Sequence, residues 1–347
     1  MKRFIFTSLI IAQLLISIHS KTANENAYAT NEVSGEPFQP IIISHKLDVK
    51  DNEMEKYLNS SFINLADASS STVEYYYYGK QLNEFEKKLY AEFAKLCQAP
   101  DTFTTEWLSI ANYKIAIDKM PDLSVKVCSA LQFDHPEYWW LYGVTNYTYY
   151  PIKDNLGYID RIQFTIQTNG YTKNYIIKNY DKVTSVAKTI ADNAKKQTTV
   201  YKRIKYIHDY LATNIQYGYV NADNDRYNII GALINKRCVC QGYAMAFSYI
   251  SRLVGIEAIF VRGIAIDENG RHAWNYVKID NAWYLLDVTF DDPGDAKPGV
   301  PSDSYIYFLI GSGDEYYKKD YLKTEVISAG LRYPTLSVTN YKRPNLM

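Results

Sequence analysis

Residues 236–247 read KRCVCQGYAMAF, two cysteines one residue apart leading into an apolar, helix-compatible run. Cys238 and Cys240 fit three chemistries: half a metal site, a redox pair, or a nucleophile with a neighbour. A zinc site ordinarily presents two ligand clusters, and Cys97, Cys128 and His272 do not stand at ligand spacing from this pair. A disulfide with a single residue between its ends is strained. A nucleophile needs its thiol ionised, and a helix N-terminus or a neighbouring imidazolium lowers a thiol from about 8.5 to between about 3.5 and 7.5. Tyr243, Phe247, Ile250 and Val254 fall on one helical face and Gly255 suits the C-cap. Cys240 therefore stands where a helix begins, and Cys238 lies in the approach to it.

Downstream, EAIFVRGIAI, HAWNYVKI and AWYLLDVTF read as three strands, the last two separated by Asp280 and Asn281. A two-residue turn there sets Ile279 opposite Ala282. Counting outward, His272 falls opposite Thr289, and Asp287 becomes its diagonal neighbour on the same face. A one-residue change in the turn would put the imidazole and the carboxylate on opposite faces. A helix-start cysteine against a His–Asp hairpin is the arrangement that thiol acyl transfer needs. Asp291 and Asp292 follow the strand and read as turn formers before Pro293. Trp139, Trp140, Trp274 and Trp283 read as core residues in preference to groove linings, as aromatic residues on strands usually are.

Upstream of the cysteines, Val200, Ile204, Ile207, Leu211 and Ile215 repeat at helical spacing, with His208 inside the same helix as a packing or hydrogen-bonding residue. Asn83 with Glu86 forms a capping pair, and Phe85, Leu89, Phe93 and Leu96 follow on one face. Residues 138–180 alternate aromatic and polar residues around KDNLG and TNG, which predicts strands and hairpins. Residues 20–70 are mostly polar and read as tether or loop.

The whole chain has 347 residues, 47% of them hydrophobic and 22% charged, enough for one large or two modest domains with a buried core. Lys plus Arg and Asp plus Glu both number 38, so no basic field exists to hold phosphates and nucleic acid is not an expected partner. Lys2 and Arg3 precede FIFTSLIIAQLLISI and then HSKTANENAYA, the charged, apolar and small-residue order of a secretory signal. Cleavage fits after Ser20 or after Ala29, and the apolar run is short for a spanning helix. With no cysteine just after that run, a lipid anchor is not expected, nor membrane insertion once the signal is removed. Four cysteines are too few for a disulfide scaffold; Cys97 and Cys128 either pair or stay buried as free thiols.

CVCQGYAMAF, GIEAIFVRG, RHAWNYVKIDNAWYLLDVTFDDP and YFLIG, in that order, resemble the transglutaminase-like superfamily of papain-related thiol enzymes over about residues 184–315. The resemblance is nearest to secreted bacterial members with an N-terminal extension. YYYYGKQLNEFEKKLY and FDHPEYWWLYG look, more weakly, like the upstream segment of those members. The resemblance implies Cys240 as nucleophile, His272 as general base and acid, and Asp287 as the residue orienting the imidazole. Gln241, Gly242, Tyr243, Trp274 and Asn275 match the surrounding blocks and take structural or subsite roles. Cys238 departs from the family pattern, which more often has a small residue such as Gly there.

The expected fold is α+β: a papain-like, transglutaminase-like core, with the Cys240 helix packed on an antiparallel sheet, preceded by an α+β N-terminal region. The expected division is a signal and leader over 1–29, a polar tether over 30–72, an N-terminal α+β region over 73–183, a catalytic core over 184–325 and a tail over 326–347. The expected function is acyl transfer on protein or peptide amides through a thioester, outside the cell or in its envelope, ending in cross-linking, deamidation or hydrolysis. The alternative is a non-catalytic cell-surface scaffold that keeps the fold. Neither metal nor organic cofactor is called for, and oligomeric state is open.

Overall fold

The computed structural model describes residues 43–46, 62–64, 74–98, 103–152, 155–218, 224–265, 270–292, 304–324 and 330–343. All of them lie in one compact unit, Pro40–Met347; the signal and leader expected over 1–29 lie outside the described residues. In chain order the elements are β1 (Ile43–Lys46), β2 (Phe62–Asn64), α1 (Glu84–Gln98), β3 (Trp107–Ser109), α2 (Met120–Asp134), β4 (Gly143–Ile152) and β5 (Asn155–Gln167). Then follow α3 (Lys173–Lys195), α4 (Val200–Asn214), β6 (Gln216–Tyr217), β7 (Arg237–Cys238), α5 (Cys240–Val254), β8 (Ala258–Ala265), β9 (Gly270–Ile279) and β10 (Ala282–Leu286). The chain closes with α6 (Val288–Asp291), β11 (Phe308–Ile310), α7 (Glu315–Asp320) and β12 (Tyr321–Thr324).

Among the described residues two five-stranded sheets form, in the orders β1-β4-β5-β3-β2 and β11-β10-β9-β8-β12. The second is antiparallel throughout, and α5 packs on its β8 and β9. This is an α+β architecture. In the first sheet β1 and β2 run parallel to β4 and β3. Both fall inside the stretch expected to be tether: Ile43 and Phe62–Ile63 supply short apolar strand segments within a polar region, and each completes one edge of the sheet.

Local chemistry sets the helix limits. Asn83 and Glu86 cap α1 reciprocally: the Asn83 N–H donates to Glu86 Oε2 and the Glu86 N–H to Asn83 Oδ1, both at 2.9 Å. Phe85, Leu89 and Phe93 are buried as their spacing predicts, while Leu96 is only partly so. TNG does not make a hairpin. Asn169 and Gly170 take positive φ, the strand ends, and Thr172 accepts from the Tyr175 N–H at 3.3 Å to start α3. The expected strand pattern over 173–180 is therefore helix, and the expected boundary at 183/184 falls inside α3. On α4, Ile204, Ile207 and Leu211 are buried, as is Ile215 just beyond its end, but Val200 at the first position is exposed and Tyr201 packs in its place.

The two upstream aromatic segments meet at the far end of α5. Asp134, at the end of α2, accepts the N–H groups of Tyr78 (2.9 Å) and Gly79 (2.7 Å) and the Tyr90 hydroxyl (3.1 Å). The Tyr78 hydroxyl reaches on to the Phe260 carbonyl of β8 at 2.5 Å. Arg252 of α5 pairs with Glu137 at 2.5 Å, donates to the Asp134 carbonyl, and lies over the Tyr76 and Tyr249 rings at 4.6 and 5.1 Å. The segments around Tyr76–Gly79 and Asp134–Glu137 are thereby tied to the helix whose other end carries Cys240.

Burial opposes charge on Glu137, but Arg252 and the His135 ring overcome it and hold its carboxyl down to about 2, from an ordinary 4.5. A depressed carboxyl contributes stability that is present above its ordinary value and lost as the pH falls toward the folded value. We therefore expect roughly 3 kcal/mol to disappear between about pH 4.5 and pH 2. Arg252→Met should flatten that part of the profile while destabilising the protein at neutral pH by about 3–5 kcal/mol, because a buried carboxylate loses its partner. Urea unfolding across that pH range checks both statements.

Candidate active site

The α5 helix begins at Cys240, with Val239 in extended conformation as its N-cap (φ −100, ψ 179). The first N–H groups of any helix lack intrahelical acceptors and carry the positive end of its dipole. Cys240 is partly exposed there; Cys97, Cys128 and Cys238 are buried, and all four thiols are free.

The hairpin has the register expected from its turn. Asp280 and Asn281 both take positive φ (49° and 64°), as a type I′ turn requires. Ala282 pairs with Ile279, and the ladder runs to Leu286 opposite Asn275. The strand stops at Leu286, three residues short of Thr289, the position counted from sequence. Asp287 leaves the ladder and caps α6, its Oδ1 accepting the N–H groups of Thr289 (2.9 Å) and Phe290 (3.2 Å). Thr289 thus belongs to a helical turn and not to the strand facing His272.

The turn swings Asp287 Oδ2 to 2.6 Å from His272 Nε2, with both side chains nearly inaccessible to solvent. Nε2 is committed to the carboxylate, so Nδ1 is the nitrogen available to the thiol. The Cys240 side chain lies near enough to this imidazole to favour its protonated form. The ring stacks on Phe290 (4.3 Å between centroids, 13° between planes) and more distantly on Trp274 (5.8 Å, 26°). Burial works against a charged His272, but the Asp287 carboxylate, its hydrogen bond and Cys240 outweigh it, and the imidazole titrates well above its ordinary 6.5. The structure thus brings Cys240, His272 and Asp287 together in order: thiol, imidazole, carboxylate.

The residues around them have separate jobs. Asn275 donates to the Ala244 carbonyl of α5 (2.9 Å) and the Ile259 carbonyl of β8 (3.1 Å), locking the Cys240 helix to the sheet. The Tyr243 hydroxyl donates to Asp292, so that carboxylate anchors α5 beyond any turn-forming role. Gln241 is half-buried and its amide reaches only Met245 Sδ at 3.8 Å. Asp291 is fully buried and meets His208 Nε2 at 3.1 Å, while His208 Nδ1 meets Asp209 Oδ1 at 3.1 Å. His208 is thus a structural pin between α4 and the end of α6. Trp139, Trp140 and Trp274 are buried and Trp283 half-buried. Among the described residues no group of three or more His, Cys, Asp or Glu side chains is placed to hold a metal ion.

Cys238 acquires a packing role that its spacing concealed. Its side chain lies under the first turn of α5: a Cβ on Gly242 would fall 2.6 Å from Cys238 Cβ and 2.8 Å from its Sγ. Burial pushes the Cys238 thiol well above its ordinary value. Gly242→Ala should destabilise by about 2–4 kcal/mol through overpacking. Adding Cys238→Gly should recover part of that loss, since the Asn228 carbonyl would still sit 3.1 Å from the new methyl. Thermal unfolding of the single and double variants checks this coupling.

Sequence reasoning missed Tyr321, whose hydroxyl donates to Asp287 Oδ2 at 2.8 Å, and Phe290 under the imidazole. Phe290 sits in the quoted VTF run; for Tyr321 no spacing signal exists, because it lies 34 residues beyond Asp287, on β12 after β11 and α7.

Residues 185–288 match the model of the transglutaminase-like superfamily. The human Kyphoscoliosis peptidase (Homo sapiens) is 25% identical over 29% of this chain and 17% of its own length. This chain thus spans about a sixth of that curated relative. Among solved structures, a TGase aligns at TM-score 0.30 with 15% identity, over 44% of this chain and 53% of its own. The periplasmic domain of TgpA from Pseudomonas aeruginosa bound to ethylmercury aligns at 0.25 with 14% identity, over 39% and 59%. Set on the Cys240 helix and the β8–β10 sheet, the family match identifies residues 185–288 as a transglutaminase-like superfamily domain.

Proposed function

We propose that this chain is an exported thiol enzyme that transfers acyl groups from protein or peptide amides through a thioester on Cys240. The observation that carries the reading is the buried His272–Asp287 pair, 2.6 Å apart, whose free ring nitrogen serves the thiol at a helix start. The thiol proton passes to His272 Nδ1, giving a thiolate–imidazolium pair that Asp287 stabilises. The thiolate adds to the amide carbonyl carbon, and the developing oxyanion takes a hydrogen bond from the Cys240 backbone N–H. The C–N bond then breaks as imidazolium gives its proton to the departing nitrogen, leaving the thioester. Neutral His272 next takes a proton from water or from an amine, which attacks the thioester and releases the thiolate. Water gives hydrolysis or deamidation; a lysine amine gives a cross-link. The peptidase name of the human relative favours hydrolysis. Export rests on the charged–apolar–polar order of residues 2–31.

A protein mixture incubated with the enzyme and a biotinylated primary amine separates the outcomes. New N-termini report peptide hydrolysis, ammonia release without amine uptake reports deamidation, and biotin uptake reports transfer. Each product should vanish with Cys240→Ala. Absence of all three with the unaltered protein, across a broad protein mixture, would favour the scaffold reading.

A further inference from the structure

We propose that Tyr321 is a positioning residue of this site: its hydroxyl holds Asp287 Oδ2 and shares that oxygen's charge with the His272 imidazole. The inference rests on the thiol-enzyme reading above and adds a fourth group to it from outside the matched residues 185–288.

The geometry is specific. Asp287 Oδ2 meets His272 Nε2 at 2.6 Å and the Tyr321 hydroxyl at 2.8 Å, while Oδ1 takes two backbone N–H groups. All three side chains are buried, so the hydroxyl is a fixed donor in a medium where hydrogen bonds to a charge are strong. The carboxylate has no freedom to rotate away from the imidazole.

Tyr321 comes from a distance. It lies on the edge strand β12, two strands from β9 across β8, a separation of about 9.5 Å between backbones. Its ring nevertheless comes within 6.3 Å of the His272 ring and 4.8 Å of the Trp274 ring, measured between centroids. The ring therefore leans across β8, where the residue paired with His272 is Gly263 and the one paired with Tyr321 itself is Ala265. Small residues at those two positions of β8 leave the passage open. Phe290, Tyr307 and Tyr317 pack around the ring at 5.8–6.1 Å. The charged groups beyond it are Asp320, held by the Tyr307 hydroxyl at 2.8 Å, and Asp291, held by His208.

The hydroxyl divides the negative charge of Asp287 between two donors. Without it the whole charge falls on the imidazole, which then holds its proton to higher pH and gives it up less readily to a leaving group. Tyr321→Phe keeps the ring and its packing and removes only the donor.

Two readouts test this. With 15N-histidine protein, the His272 signals are assigned by their loss in His272→Gln, and their titration midpoint should move to higher pH in Tyr321→Phe. With an epoxysuccinyl peptide probe, whose ring opening needs a proton from the imidazolium, Cys240 inactivation at its optimum should slow by about ten- to hundredfold, and its alkaline limb should move up. In an Asp287→Asn background the same Tyr321→Phe change should have no further effect on either readout. An unchanged midpoint in Tyr321→Phe, or an equal slowing in the Asp287→Asn background, would overturn the role assigned to Tyr321. A wild-type protein inert to the probe but with the shifted midpoint would instead overturn the enzyme reading and leave the Tyr321 assignment standing.

Discussion

Asp287→Asn is expected to slow turnover by about four orders of magnitude, the scale seen when a triad carboxylate becomes an amide in serine proteases, with little loss of fold. The substitution is nearly isosteric, but the surrounding donors force its orientation. Oδ1 accepts from the Thr289 and Phe290 N–H groups, so the amide oxygen must stay there. The NH2 group is then turned toward His272 Nε2 and the Tyr321 hydroxyl. The hydroxyl can rotate to accept; the imidazole must present a lone pair at Nε2 and carry its proton on Nδ1. That tautomer cannot take the thiol proton.

The same change removes the charge that opposes burial at His272, so its titration should fall from well above 6.5 and the alkaline limb of activity should move to lower pH. The stability profile should change with it. A raised folded pKa contributes stability that is complete below the ordinary value of 6.5 and is lost as pH rises through the folded value. Asp287→Asn should abolish that alkaline decline. Rate–pH profiles and urea unfolding between about pH 6 and pH 10 measure the two effects.

The second large effect separates the two cysteines. Cys240→Ala should reduce product formation by about 10⁴-fold or more, because a missing nucleophile leaves only binding and the oxyanion donor. The side chain is partly exposed at the helix start, so stability should change by less than about 1 kcal/mol. Cys238→Ala should do the reverse. Removing a fully buried sulfur against Gly242 should cost about 1–2 kcal/mol, while turnover stays within about threefold, a residual of under 1 kcal/mol in the barrier. Thermal unfolding and a Cys240-dependent product assay on the two variants measure the contrast.

Much of this site is written in local sequence. Asp280-Asn281 fixes a two-residue turn, and the turn fixes the register that carries His272 and the approach to Asp287. The helix pattern from Tyr243 to Gly255 fixes where α5 starts, and with it the place of Cys240. What escaped has no local period. The strand was counted on to Thr289, but Asp287 satisfies two helix-start N–H groups and ends it early. TNG carries the residues of a hairpin turn, yet Thr172 caps a helix two residues on, and the following face of Ile176, Val183 and Ala187 is buried as a helix. Tyr321 and Asp292 meet their partners only through tertiary packing, as do Arg252 and Glu137. Cys238 looked like a chemical partner for Cys240 because the two are close in sequence; one residue of extended chain places one thiol in the core and the other at the helix mouth.

The central claim is that Cys240 alone among the four thiols is a working nucleophile, made so by His272. Alkylation of the native protein with iodoacetamide near pH 6, followed by mass-spectrometric mapping of all four cysteines, tests it directly. Cys240 should be modified rapidly, Cys97, Cys128 and Cys238 should stay unmodified until the protein is unfolded, and His272→Gln should slow Cys240 labelling by at least about tenfold. Equal labelling of Cys238 and Cys240 in the native protein, or Cys240 labelling that His272→Gln leaves unchanged, would contradict the account.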